Sequence, residues 1–269
     1  MSAEDNQPDW QSIAGKFDMW LPQLAPVGEA MLAAIDVRAG ELILDVASGT
    51  GEPALSLAHA NPEVTVVGVD AAPAMAAVAQ DKVDAEGITN ISFTAMPAES
   101  LDFPNESFDK VICRFGVMLF EDSLKGLQEM YRVLKPKGQL CIAVWSTPQT
   151  MTTLHWAHQV LKDRIPEAAQ PPLLKVTSLG AEGILDDLIL QAGFSEYEIQ
   201  ERPFYYQFDS FEQYWDLIET SDIMKMQFDA LADSDRDAVR DEIAGLAKEY
   251  LGENGLLIPH EYLLAVAVK

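Results

Sequence analysis

Short apolar runs alternate with helix-like stretches along the first half of the chain. Five runs are nearly continuous in valine, isoleucine, leucine and other apolar residues, at 41–46, 64–70, 90–95, 108–114 and 138–145. Such runs are typical of parallel strands that helices cover on both faces. Because helix-like stretches separate them, the pattern predicts a doubly wound α/β sheet.

Two of the separating helices have recognisable ends. Residues 73–86 begin at Pro73, which suits a first helical turn, and stop before Gly87, which suits a helix end. Residues 121–134 begin with two acidic side chains, which favour the positive end of the helix dipole, and end at the turn formed by 135–138. Both helices therefore fit as connections between parallel strands.

The regular alternation of strands and helices ends after residue 146. Helical patterns cover 149–164, 180–192 and 210–250, and strand patterns cover 195–202 and 262–269. The last of these strands, YLLAVAVK, closes the chain. The second half therefore adds two strands to the sheet and several helices outside it.

The whole chain is expected to form a single domain, 1–269, around a cofactor-binding core of residues 40–146. Segments outside this core are expected to supply a lid over the site, at about 1–35, 147–178 and 203–260. The last segment is rich in aromatic residues: Phe204, Tyr205, Tyr206, Phe208, Phe211, Tyr214 and Trp215. They indicate an apolar or aromatic ligand, although simple burial against the sheet explains them equally well.

The net charge of the chain limits the kinds of partner that it can bind. The chain has 18 Lys+Arg against 43 Asp+Glu, a formal net charge of -25. Nucleic acids and anionic membrane surfaces are bound by clustered Lys and Arg, so both are excluded as partners. The N-terminus resembles no secretory signal, and no apolar run approaches the roughly 20 residues of a membrane span. We expect a cytoplasmic protein, a monomer or homodimer, with a small-molecule partner.

Cysteine usage argues against a disulfide framework and against a structural metal. Cys113 and Cys141 both lie in apolar strand patterns, which predicts two buried thiols. A zinc site requires more cysteines, or a histidine cluster, at closer spacing. No metal is therefore expected.

The most informative segment is the loop after the first predicted strand. Residues 42–51 read LILDVASGTG, so a buried strand ends in Asp45 and runs into small residues. Small residues let a ligand lie against the backbone, whose amides then offer hydrogen-bond donors. Asp70 ends the second strand, 19 residues after Gly51, where a carboxylate accepts from both hydroxyls of a ribose. The pattern predicts an adenosine-containing cofactor.

Spacing alone leaves two such cofactors open. Gly49, Gly51 and Ala54 satisfy the loose dinucleotide fingerprint G-x-G-x-x-G/A. A nicotinamide-dependent oxidoreductase is therefore one alternative. The acid at position 45 has no use in such an enzyme.

The complete segment closely resembles the first motif of class I S-adenosylmethionine-dependent methyltransferases. Three further segments continue the resemblance, at 98–109, 113–120 and 132–140, so that it is continuous over about 40–146. It points to the branch of the ubiquinone and menaquinone C-methyltransferases. It implies a Rossmann-like seven-stranded sheet of order 3-2-1-4-5-7-6, with the last strand antiparallel. It also implies O-, N- or C-methylation of a small organic acceptor, with S-adenosylhomocysteine as product.

The resemblance implies roles for individual residues in cofactor binding. Asp45 would lie near the methionine moiety, and Asp70 would bind the ribose. Pro97 stands where many relatives have the aspartate that accepts from the adenine amino group, so the Ala98 amide and Glu99 are candidates there. The predicted cofactor-binding residues are Asp45, Ala47, Ser48, Gly49, Gly51, Asp70, Ala71, Met75, Ala98, Glu99, Arg114 and Phe115.

Candidates for the acceptor side are fewer. Trp20, Met118, Trp145 and His158 are predicted to contact the acceptor, and His155 is the candidate general base. The two histidines are three residues apart and would share one helical face, although they would equally suit a solvated surface. A sulfonium methyl is already activated, so alignment and exclusion of water are sufficient for many acceptors. A non-catalytic S-adenosylmethionine-binding sensor or partner protein is the second alternative.

Overall fold

The apolar runs form the strands of one mixed β-sheet. The structure is a computed structural model and describes residues 9–167, 170, 173–221 and 228–269. The strands are β1 Leu42–Val46, β2 Thr65–Asp70, β3 Ile91–Ala95, β4 Phe108–Arg114, β5 Leu134–Trp145, β6 Glu196–Phe208, β7 Leu251–Gly252 and β8 Gly255–Val268. The helices are α1 Trp10–Phe17, α2 Leu21–Ala34, α3 Ala54–Ala60, α4 Pro73–Glu86, α5 Ser123–Val133, α6 Thr152–Leu161, α7 Leu173–Val176, α8 Ile184–Ala192, α9 Phe211–Thr220 and α10 Asp233–Ala247.

Strand order confirms the predicted topology. The order is β3-β2-β1-β4-β5-β8-β6, and β7 is a two-residue strand that pairs with β8. The first five strands pair in parallel, whereas β8 runs antiparallel to β5 and β6. Apart from the short β7, this is the expected 3-2-1-4-5-7-6 arrangement with an antiparallel last strand. The carboxyl ends of β1, β2 and β4 therefore meet at one edge.

The central strand is buried on both faces, as its apolar sequence predicts. Ile43 and Leu44 are neighbours in β1 and are both fully buried. Ile43 belongs to a core with Leu57 and Val83, which lie on α3 and α4, and Leu44 belongs to a core with Met130 on α5. Side chains alternate across a strand, so each residue anchors a different helical layer.

The predicted helix ends agree with the structure at α4 and differ slightly at α5. α4 starts at Pro73 and ends at Glu86, and Gly87 follows with a φ of 66° that suits glycine. α5 ends at Val133, and β5 starts at once at Leu134, earlier than the predicted position 138. Leu134 pairs with β4 ahead of a register shift, so the strand includes the Lys-Pro-Lys-Gly turn that the sequence assigns to a loop.

The predicted lid segment 203–260 is wrong in part. β6 continues to Phe208 and β8 begins at Gly255, so the two strands form a long antiparallel pair beyond the expected ends. Burial alternates along this extension of β6, with Phe204 and Tyr206 buried and Tyr205 exposed, which is the period of a strand. Helical structure is present in α9 and α10. Parts of the lid segments lie outside the described residues, namely 1–8, 168–169, 171–172 and 222–227.

The N-terminal helix is held across the carboxyl edge of the sheet. Ile13 and Ala14 of α1 form a small core with Met75 of α4. Below this core, the Lys82 ammonium donates to the Asp18 carboxylate and to the Thr50 carbonyl, each at 2.8 Å. α1 is therefore tied both to α4 and to the glycine loop. Over the described ranges, the helices are all too short or too polar to cross a bilayer.

Candidate active site

A cavity of about 1450 Å³ opens where the strand ends meet. Open α/β sheets bind ligands outside the carboxyl ends of their strands. The volume exceeds the roughly 300–1,000 Å³ of a pocket for one drug-sized ligand, so the cavity has room for two molecules. Most of the predicted site residues line it: Trp20, Ala47, Ser48, Gly49, Asp70, Ala71, Met75, Ala98, Glu99, Arg114, Phe115, Met118 and Trp145.

Asp70 is fixed at the mouth of this cavity by backbone amides. One carboxylate oxygen accepts from the Gly49 amide and the other from the Ala72 amide, both at 2.8 Å. Burial raises the pKa of Asp70, and the two amide hydrogen bonds oppose the rise. A carboxylate offers about four lone-pair sites, so two remain for an incoming pair of hydroxyls. This geometry suits a ribose.

The glycine loop leaves its backbone open toward α1. Gly49 has a φ of 54°, and a Cβ built on it would meet only the edge of the Phe17 ring, at 3.8 Å. Gly51 serves a different purpose, because a Cβ there would lie 2.6 Å from a Leu55 methyl. Gly51 lies outside the cavity wall and permits close packing of the loop against α3. Of the two glycines, Gly49 is thus the one whose backbone is open to the cavity.

Asp45 lies behind the loop, outside the cavity wall. It is 1% exposed, and both of its carboxylate oxygens lack a hydrogen-bond partner among the residues described. Burial raises the pKa of Asp45 to about 8, while the neighbouring Arg114 guanidinium acts against this rise. Asp45 is therefore largely protonated at neutral pH, and a cationic group of a ligand nearby would favour its ionised form. An S-adenosylmethionine sulfonium or ammonium fits this requirement.

Arg114 also holds two parts of the site together. Its guanidinium donates to the Glu52 carbonyl at 2.8 Å and to the Leu24 carbonyl at 3.3 Å. Glu52 belongs to the loop after β1, whereas Leu24 belongs to α2. Arg114 therefore fixes the N-terminal helices relative to the glycine loop.

The predicted adenine side is apolar with one acidic residue. Met75 and Ala98 are buried, at 2% and 5% exposure, and both line the cavity together with Pro97. Glu99 uses one carboxylate oxygen to accept from the amides of Glu121 and Asp122, at 2.9 and 3.4 Å. Its other oxygen has no comparable bond in the described structure. Its role as partner of an adenine amino group stays a prediction.

Stacked aromatic rings form another part of the cavity wall. The rings of Phe115 and Trp145 are parallel within 14°, with centroids 4.0 Å apart, and Phe204 continues the stack at 5.4 Å from Trp145. Phe115 has a φ of 59°, a backbone conformation that turns its ring onto this stack at the end of β4. The Met118 thioether packs against it and accepts from the Trp145 amide at 3.5 Å. The wall suits a flat apolar ring.

The structure does not bring the two predicted histidines to the cavity. His155 is exposed on α6, and His158 is half-buried with its Nδ1 atom unpartnered within the described part of the chain. Neither residue lines the cavity, whose α6 wall consists instead of Thr153 and Leu154. The predicted roles of His155 as general base and of His158 as an acceptor contact stay predictions, and the structure places both residues away from the cavity wall. A role for either residue in catalysis has no support from its position.

Sequence reasoning missed several residues of the wall. They come from α2, α6, α9 and β6: Leu24, Thr153, Leu154, Tyr206, Tyr214 and Ile218. Tyr206 and Tyr214 belong to the aromatic cluster noted in the sequence, but nothing in the pattern separated cavity contacts from core packing. His260, which the sequence does not single out, is buried in β8 beside the wall at 3% exposure.

The two cysteine thiols lie within strands of the sheet. Cys113 and Cys141 are free and fully buried, as predicted, and burial raises the pKa of both thiols. Within the described ranges, no group of three or more His, Cys, Asp or Glu side chains is placed to hold a metal ion.

Comparison with known proteins identifies the family. Residues 23–169, more than half of the chain, match the profile of the ubiE/COQ5 methyltransferase family. The chain belongs to the ubiE/COQ5 methyltransferase family. The matched range contains the glycine loop, Asp70 and the stacked pair Phe115 and Trp145.

Several curated relatives match part of this chain. A ubiquinone/menaquinone biosynthesis C-methyltransferase UbiE of Geobacter sulfurreducens is 42% identical over 113 residues, which cover 41% of this chain and 44% of that protein. A demethylmenaquinone methyltransferase of Thermus thermophilus is 42% identical over 111 residues, covering 41% and 50%. One from Bacteroides fragilis is 33% identical over 175 residues, covering 60% and 71%. The chain spans about half the length of the first two relatives.

Solved structures share the fold at low sequence identity. The YcgJ protein of Bacillus subtilis superposes with a TM-score of 0.60 at 22% identity, covering 91% of this chain and 98% of that one. A Haemonchus contortus phosphoethanolamine N-methyltransferase 2 in complex with S-adenosyl-L-methionine gives a TM-score of 0.62 at 18% identity, covering 100% and 60%. At these identities the likeness concerns the fold alone.

Proposed function

We propose that this protein transfers the methyl group of S-adenosylmethionine to a small aromatic or apolar acceptor and releases S-adenosylhomocysteine. The observation that carries the proposal is the placement of two different walls on one cavity. Asp70 and the glycine loop form one wall, and the stacked rings of Phe115 and Trp145 form the other. Membership of a methyltransferase family supports the same conclusion.

Residues at the strand ends would hold the cofactor. The Asp70 carboxylate would accept from the ribose hydroxyls, and the backbone at Gly49 would lie against the ligand. The unpartnered Asp45 carboxylate would stabilise the positive charge of the methionine portion from behind the loop. When bound, S-adenosylmethionine supplies a methyl group that its sulfonium already activates.

The remaining work of the protein is alignment and exclusion of water. The stacked rings would hold a flat acceptor by one face, and the apolar residues of α2 and α9 would cover the other side. Relatives named for ubiquinone and menaquinone biosynthesis support a quinone-like ring as the acceptor. An apolar enclosure keeps water away from the reacting atoms and restricts their relative motion. A cytoplasmic location and a monomeric or dimeric state stay predictions of the sequence.

Calorimetric titration tests the cofactor half of the proposal. Binding of S-adenosylmethionine and S-adenosylhomocysteine, without binding of NADH, is the expected result. Asp70→Ala should weaken this binding, and Asp81→Ala is its matched control, because Asp81 is exposed on α4 and lies outside the cavity wall. Tight binding of NADH and none of S-adenosylmethionine would contradict the proposal and favour an oxidoreductase.

A further inference from the structure

Thr153 and His260 form a hydrogen-bonded pair between α6 and β8. Thr153 lines the cavity, and its hydroxyl oxygen lies 2.9 Å from the His260 Nε2 atom. The other ring nitrogen of His260, Nδ1, lies 3.1 Å from the Ile258 carbonyl oxygen. Aromatic neighbours enclose the imidazole, with the Tyr206 ring centroid at 4.2 Å and that of Trp145 at 6.0 Å. His260 therefore lies behind the aromatic wall, whereas Thr153 is part of the cavity lining.

The positions of the protons follow from these contacts. A carbonyl oxygen can only accept, so Nδ1 of His260 carries the ring proton and donates it to Ile258. Burial lowers the pKa of His260 to about 4, so the ring is neutral at pH 7 and Nε2 keeps its lone pair. The Thr153 hydroxyl then donates its only proton to Nε2. Toward the cavity, the Thr153 hydroxyl can therefore only accept a hydrogen bond, through the lone pairs of its oxygen.

We propose that Thr153 is a positioning residue that recognises a hydroxyl or N–H group of the acceptor molecule, and that His260 fixes it as a hydrogen-bond acceptor. This rests on the proposed function, because it assigns the acceptor side of the same cavity. A ligand with a donor group at this position gains a hydrogen bond. A carbonyl or ether oxygen there would face another lone pair and gain none. The site thus selects a phenol-like acceptor over its ether.

A neighbouring contact separates recognition from simple anchoring of α6. The Thr152 hydroxyl donates to the Pro259 carbonyl at 2.6 Å, and this bond joins the same two elements. Thr152 lies outside the cavity wall, so it can anchor the helix but cannot touch a ligand. Thr152→Val is therefore the matched control for Thr153→Val. Each substitution removes one hydroxyl that joins α6 to β8, but only Thr153→Val removes a hydroxyl on a residue that lines the cavity.

Binding of two redox-stable probes tests the proposal. We would titrate 1-naphthol and 1-methoxynaphthalene into the full chain saturated with S-adenosylhomocysteine, and follow tryptophan fluorescence. The parent protein is expected to bind the naphthol more tightly, by roughly 2- to 10-fold, which is the range for one hydrogen bond. Thr153→Val should bring the two affinities together, Thr153→Ser should restore the difference, and Thr152→Val should keep it. His260→Phe should also reduce the difference, because the Thr153 hydroxyl is then free to donate.

The informative quantity is the ratio of the two affinities, since a merely structural defect would weaken the binding of both probes together. An unchanged ratio in Thr153→Val would overturn the proposal, and so would a failure of the parent protein to bind either probe. Thr153→Ser keeps the test valid if Thr153→Val folds poorly, because a serine that lost the preference would contradict the proposal equally. A separate titration of S-adenosylhomocysteine alone distinguishes the outcomes. Loss of that binding would contradict the proposed function, whereas a changed or unchanged ratio concerns Thr153 only.

Discussion

Asp70 accepts a hydrogen bond from the Gly49 amide at 2.8 Å, and this bond joins the end of β2 to the loop after β1. The two strands are neighbours in parallel register, so their carboxyl ends reach the cavity side by side. Asp70 therefore shapes the loop, and its remaining lone pairs would serve the proposed contact to the ribose hydroxyls.

Asp70→Ala is expected to weaken binding of S-adenosylmethionine by about 10-fold to several hundred-fold. Each hydrogen bond to a charged group contributes roughly 1.5–3 kcal/mol, and the variant loses its bonds to the ribose hydroxyls. Calorimetry would measure the affinity, and circular dichroism would show that the fold is kept. Asp81→Ala should bind like the parent. Unchanged affinity in Asp70→Ala would remove this residue from the site.

Gly49→Val is expected to abolish cofactor binding while the secondary structure is retained. The φ of 54° is unfavourable for a branched residue, and the new side chain would project where the ligand lies against the backbone. Gly40→Val is a matched control, since Gly40 also has a positive φ, of 82°, but lies on an exposed turn with nothing within 4 Å of its built Cβ. Its expected effect is a loss of about 1–2 kcal/mol of stability with unchanged affinity. Normal binding by Gly49→Val would mean that the ligand approaches the loop elsewhere.

Asp45→Asn is expected to raise stability and to weaken cofactor binding. Burial raises the pKa of Asp45 to about 8, so the folded state holds a proton that the unfolded state releases near pH 4. The parent protein therefore loses stability as the pH rises toward 8, and the asparagine variant does not share this loss. Chemical denaturation should show the advantage of the variant growing by about 3–4 kcal/mol between pH 5 and pH 8, since each pH unit between the unfolded and the folded pKa contributes about 1.4 kcal/mol.

Asp109→Asn is a control for which the expected change in stability has the opposite sign. Burial alone would raise the pKa of Asp109, but the Leu42 amide and the Lys135 ammonium outweigh burial and lower it. Its ionised form therefore stabilises the fold above the unfolded pKa, and this contribution disappears as the pH falls. The asparagine variant should be less stable than the parent at neutral pH. An Asp45→Asn variant that behaved in the same way would show that Asp45 is ionised and well partnered.

Trp145→Phe is expected to impair the acceptor side alone. The Trp145 ring stacks on Phe115 with centroids 4.0 Å apart, and a smaller ring would leave the acceptor less contact area. A KM for the acceptor that is higher by roughly 2- to 10-fold is expected from the loss of one aromatic contact, with unchanged cofactor affinity. Trp156→Phe is the same chemical change on a buried α6 residue outside the cavity wall. If both variants have the parent KM, the stack is core packing only.

His155→Ala tests whether His155 is the general base that the sequence predicts or an exposed residue without a catalytic role, as its position in the structure indicates. A general base raises a rate by roughly 10²–10⁴-fold, so its removal would be conspicuous in steady-state kinetics. Because His155 is exposed and lies outside the cavity wall, we expect turnover within about 2-fold of the parent. A large loss of turnover with unchanged cofactor affinity would show that α6 rotates toward the acceptor during the reaction.

The strand ends are the part of the site that sequence predicts well. Asp70 ends β2 and Phe115 directly follows β4. Parallel strands place their carboxyl ends at a common edge, whatever the rest of the chain does. The glycine loop is fixed by the same logic, since it is short and connects β1 to α3. Residue order alone is therefore enough to bring these groups together.

The sequence does not predict which face of α6 points to the cavity, or how far β6 and β8 extend. On α6, a difference of two positions separates Thr153 on the cavity wall from His155 in solvent, and each residue turns the helix by about 100°. Which side faces the cavity depends on how Trp156 packs in the core, a contact between distant parts of the chain. The burial of His260 likewise depends on the extension of β8, which pairs with an equally extended β6.

The most direct test of the account is a methyl-transfer assay with a labelled cofactor. The purified protein would be incubated with S-adenosylmethionine that carries a deuterated methyl group and with a metabolite extract containing phenolic compounds, and analysed by mass spectrometry. We expect an aromatic product that has gained one labelled methyl group, together with an equal amount of S-adenosylhomocysteine, and neither in Asp70→Ala. Tight cofactor binding without any labelled product in the parent protein would contradict the account and favour a sensor or partner protein.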